Sequence, residues 1–151
     1  MPTTATHCTL QIEVSERQVI ACGIRAPGMW DRFKHVRPEW FSQWADAAIW
    51  RVVQFSYQEN DGFDVDVVLR WLQEYFPDDA EALLDRLAII ADDYLHAEFI
   101  DYYLATLEQS GVRLALQRWA CHIDEMCRTG RTMNEIRQAV ASPPTHTGGV
   151  A

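Results

Sequence analysis

Two residue pairs at helical spacing invite metal chemistry. Asp93 and His96 are three apart, as are His122 and Glu125, and di-metal helical bundles place Glu-x-x-His motifs of that spacing on facing helices. Neither pair has the Glu-x-x-His order, both fall in neighbouring parts of one helical region, and no bridging glutamates sit at matching positions. Structural or solvated histidines are therefore expected. Cys121, His122 and Cys127 offer zinc donors, but they point different ways from a helix and lack a fourth ligand in a compact loop. Buried or half-exposed free thiols are expected instead. Asp61, Asp64 and Asp66 imitate the start of a calcium loop without its spaced glycine or terminal bidentate glutamate, and helix capping accounts for them. No metal or other cofactor is expected.

Nucleophilic and nucleotide chemistry are equally poorly provided for. There is no GxSxG segment and no Cys–His motif. A phosphate-binding P-loop needs a lysine after a glycine-rich turn, and the only lysine, Lys34, stands between Phe33 and His35. The expectation is a protein with no catalytic residues.

The formal net charge is −9, so the summed field repels nucleic-acid phosphate and disfavours direct nucleic-acid binding. Six tryptophans could stack bases, but Trp40, Trp44 and Trp50 fall in the densest apolar helix and are expected in the core. Trp30, Trp71 and Trp119 fit amphipathic faces. The four cysteines show no CxxC pair, no signal peptide precedes them, and no apolar run reaches the roughly 18 residues of a membrane span. A cytoplasmic protein without a membrane segment is expected.

The apolar periodicity reads as all-helical. Residues 1–14 are expected as a flexible arm. Ser15 then caps a short helix ending near Pro27 and Gly28, and Met29–Val36 forms a second, stopped by Pro38. Glu39–Gln58 reads as the central buried helix, broken by Glu59–Gly62. Asp64 opens a helix stopped by Pro77, and Ala80–Ala91 forms the next. Asp92 and Asp93 precede a long helix over Glu98–Arg128. Thr129–Arg131 makes a turn, and Thr132 with Glu135 gives a capping box for Met133–Val140. Residues 141–151 have linker or tail composition.

The long helix changes apolar stripe along its length. Leu95, Phe99, Tyr102 or Tyr103, and Thr106 or Leu107 mark one face; Val112, Leu116, Trp119, Ile123 and Met126 then repeat as a heptad seam of the kind used for helix pairing. The phase changes at Gly111. The seam, joined by Ile136 and Val140 on the following helix, is the candidate dimer interface.

Four segments carry a family resemblance. Ser15–Cys22 is similar to an EAEQSVLG opening, Met29–Phe33 to WDRV, Gly62–Glu74 to GxPVDLxTVxExL, and the stretch from Ala97 to Met126 to ANxxHYAxIVREKAxxRxLIxAAxxI. In this order they resemble the N-terminal collar domain of DnaB-type bacterial replicative helicases, over about residues 15–140. Three departures bear on partner choice more than on fold. The family's histidine before its Ile-Phe pair is missing from Trp44–Val53, PDDAEALL replaces a glycine-rich segment, and Gly111 stands where a charged or small helix former is usual. The resemblance implies a small orthogonal helical globule over 15–96 and a C-terminal helical hairpin over 97–140. It further implies hairpins that pair between subunits and a role in DNA replication at the primosome, recruiting primase or a helicase loader. Without a P-loop the chain is either a helicase fragment or a free-standing relative. The latter would be a phage or plasmid regulator or loader that binds a host replicative helicase. An unrelated helical adaptor is the remaining alternative.

Overall fold

The computed structural model describes residues 4–144, which form seven α-helices and no strand. These are α1 (Thr4–Arg25), α2 (Trp30–Phe33), α3 (Trp44–Asn60), α4 (Val65–Tyr75), α5 (Ala80–Asp92), α6 (Ile100–Arg128) and α7 (Met133–Ala141). Short 3-10 turns at Pro27–Met29, Pro38–Trp40 and Ala97–Phe99 link them. No helix is long and apolar enough to cross a membrane among the described residues.

Trp50 of α3 is the centre of the core. Its ring packs against Trp30, Phe33 and Phe41, and its buried indole N–H donates to the Val36 carbonyl at 2.9 Å, so the large side chain leaves no unpaired donor. Around it lie Val19 and Ile20 of α1, Val68 and Leu72 of α4, Leu83, Leu87 and Ile90 of α5, and Ile100, Tyr103 and Leu107 of α6. The first part of α6 is thus core, and α1 is its main neighbour. Gln18 ties α1 to the α5–α6 connection by bonding the Tyr94 carbonyl and the His96 amide.

Several elements differ from their expected bounds. Of the expected arm over 1–14, residues 1–3 lie outside those described and the rest, from Thr4 onward, is helix. Ser15 does not cap it: its hydroxyl donates to the Gln11 carbonyl within the helix at 2.8 Å, a pairing that lets serine sit mid-helix. The helix over Met29–Val36 is only one turn long, Trp30–Phe33, and the chain is extended at Arg37 before Pro38, at φ −99° and ψ 141°. The central helix starts at Trp44 rather than Glu39. Phe41 turns extended and drops into the core, and the buried Glu16 carboxylate takes the Ser42 amide and hydroxyl at 2.8 and 3.0 Å. Trp40 and Trp44 consequently share no helical face, and Trp44 is 58% exposed rather than core.

On α6 the buried face is Ile100, Tyr103, Leu107 and Gly111, while Phe99 and Tyr102 face outward. The starts of α4 and α7 are as expected. The Asp64 carboxylate accepts the Asp66 amide at 2.9 Å, and the Thr132–Glu135 capping box is complete. Of the expected tail, Ala141 closes α7 and residues beyond Pro144 lie outside those described.

Candidate interaction surface

Beyond Gly111 no described residue is buried, although α6 runs on for another 17 residues and α7 follows. This arm is therefore a helical hairpin with apolar side chains that the globule does not cover. Its root is fixed by Gly111. A Cβ there would lie 2.5 Å from Trp40 Cγ and 2.6 Å from Trp40 Cβ, so the helix can seat Trp40 only because this residue has no side chain. The glycine at the phase change admits a neighbour from its own chain. Arg118 adds a second tie, donating from Nη1 to the Glu39 carbonyl at 3.2 Å.

The turn of the arm is built locally. Gly130 takes φ +73°, and the Arg131 amide reaches back to the Met126 carbonyl at 3.2 Å, the six-to-one bond of a Schellman C-cap. The capping box then starts α7. Trp119 locks the two helices together, its indole N–H donating to the Ala139 carbonyl at 2.8 Å.

The seven candidate interface residues divide. Trp119, Ile123, Met126 and Ile136 are half-buried, as is Val112 near the root. Leu116 and Val140 stay open, at 43% and 50% exposed. Met133, not among the candidates, is the most open at 62%; its spacing of three and seven from Ile136 and Val140 was the available signal. Cys121 and Cys127 are exposed on α6, not buried. His122 and Glu125 line a shallow cleft with Met126, Thr129 and Arg131. Asp93 pairs with Arg17, and its partner in the sequence pattern, His96, lies beside Glu98. No group of three or more His, Cys, Asp or Glu side chains is placed to hold a metal ion among the described residues.

No family model, curated protein or solved structure matches this chain. Its chemistry is read from its own geometry.

Two buried carboxylates hold the platform on which the arm stands, and nothing in their spacing marked them beforehand. Glu16 fixes Ser42, and through it the turn that carries Trp40. Burial raises the Glu16 pKa above 4.5, with Asp46 and Glu13 adding repulsion, while the Ser42 bonds oppose the rise. Asp46 is held by Arg86 through two bonds of 2.9 and 3.1 Å, a bidentate pairing. Those bonds raise the Arg86 pKa further.

Proposed function

We propose that this chain is a non-catalytic interaction and oligomerisation module that pairs with a second copy through its arm, in the manner of the collar of a replicative helicase. The observation that carries the pairing is the absence of any buried residue after Gly111 among the described residues, in a segment whose apolar residues keep helical spacing. Leu116, Met133 and Val140 gain most from a partner surface, since burying a large apolar side chain stabilises by about 1.5–3 kcal/mol. Such contributions must offset the lost freedom of two chains. The half-buried Trp119, Ile123 and Met126 would then make the hairpin rigid enough to present that surface.

The assignment to DNA replication rests on the four sequence segments and their order. It is supported by a globule followed by a helical hairpin. Primase, a helicase loader or a replicative helicase is the corresponding partner. Light scattering tests the pairing: the wild type should have twice the mass of Leu116→Asp with Val140→Asp, which change exposed side chains and leave Trp119 and its bond to the Ala139 carbonyl in place. Equal masses would remove the pairing. Affinity capture that retains no replicative helicase, loader or primase would remove the replication assignment while leaving the module.

A further inference from the structure

The root of the arm and the globule enclose a groove whose lining includes neither Leu116 nor Val140. It has a volume of about 510 Å³ and is open to solvent on one side. Its apolar lining includes the indole of Trp44, Ala47 and Phe76, and the Trp44 indole has no burial that explains a tryptophan there. At its rim stand the guanidinium groups of Arg51 and Arg118, together with one carboxylate, Glu39. Glu39 is 3.9 Å from Arg51, with both side chains more than half exposed. That is a loose ion pair, readily exchanged in water. Arg118 donates to the Glu39 carbonyl and forms no ion pair among the described residues.

We propose that this groove binds an acidic peptide segment carrying a large apolar side chain, supplied by a partner protein. The apolar lining and the volume suit one or two large side chains, within the range of ordinary ligand pockets. Charge complementarity selects the flanks. In a chain of net charge −9, the rim of this groove carries two arginines against one glutamate, and guanidinium groups recognise carboxylates through paired N–H donors. Peptide carboxylates would displace Glu39 from Arg51 and engage the open side of Arg118, while an aromatic or leucine side chain covers Trp44. Because Arg118 belongs to α6 and Trp44 to α3, the bound segment bridges the globule and the root of the arm.

The proposal goes beyond pairing through the arm and does not depend on it. Fluorescence anisotropy tests it with a fluorescein-labelled peptide of aspartates around a central phenylalanine and leucine. Saturable binding is expected, weakened about tenfold or more by Arg51→Ala with Arg118→Ala, and similarly by Trp44→Ala. Replacing the peptide's phenylalanine and leucine by serine should weaken binding by at least as much. All three protein side chains lie at the surface, and circular dichroism confirms that each variant is folded. Absence of saturable binding, equal affinity in the variants, or equal affinity for the serine peptide overturns the proposal. So does a change in the protein's mass on Trp44→Ala, which would make a second copy of the chain the occupant.

Discussion

Glu16 places a carboxylate where only Ser42 replaces the water it has lost. Its folded pKa lies above the ordinary 4.5, so the native state holds this proton more tightly than the unfolded chain. Stability from this group is therefore greatest below pH 4.5 and declines as pH rises through the folded value. Glu16→Gln keeps an oxygen for the Ser42 amide and an NH2 for its hydroxyl. Thermal melts across that window should show the wild type losing stability relative to Glu16→Gln as pH rises; parallel curves would refute the assignment. At Gly111 the expectation reverses sign with background. Gly111→Ala should cost about 1–3 kcal/mol by overpacking against Trp40, less the gain of up to ~1 kcal/mol that alanine brings to a helix. In a Trp40→Ala background the same change should be stabilising. A double-mutant cycle by denaturant unfolding reads the coupling, and additive effects would show that Trp40 is not the constraint.

Elements whose ends are set by neighbours in the chain were legible in the sequence. Asp64 starts α4, Thr132 with Glu135 starts α7, and the turn around Gly130 closes α6, each through bonds within a few residues. The start of α3 was not legible, because it is decided by Glu16 reaching Ser42 across 26 positions of sequence. The same holds for Trp44, whose helical spacing from Trp40 implied a shared face that the extended Phe41 removes. Of the candidate surface, the seam spacing was legible but its division was not: the Trp119 bond to Ala139 shows which part of it serves the hairpin itself. Gly130→Ala forces a side chain into a left-handed conformation and should destabilise the turn by about 1 kcal/mol. Thr132→Ala removes the cap, at about 0.5–2 kcal/mol. With no buried residue in the arm, both changes should act locally. Amide hydrogen exchange should quicken over residues 126–141 while protection at Trp50 and Leu107 is kept; uniform loss would mean that arm and globule unfold together.

At the scale of the molecule, the chain divides its apolar residues between a core centred on Trp50 and an arm that has none buried. A 29-residue helix of about 43 Å, at 1.5 Å rise per residue, joins the two. The arm also carries the means to measure its own pairing. Cys121 is exposed on α6, whereas Cys22 is buried and its thiol is pushed up to about 11 by that burial, which suppresses the thiolate that labelling reagents attack. With Cys8 and Cys127 replaced by serine, a nitroxide at Cys121 reports the separation between arms by pulsed dipolar spectroscopy. Paired helices pack about 8–10 Å apart, so arms that pair along α6 and α7 give a defined intermolecular distance of no more than about 30 Å, lost in Leu116→Asp with Val140→Asp. A signal showing only a uniform background of separate molecules would contradict pairing through the arm.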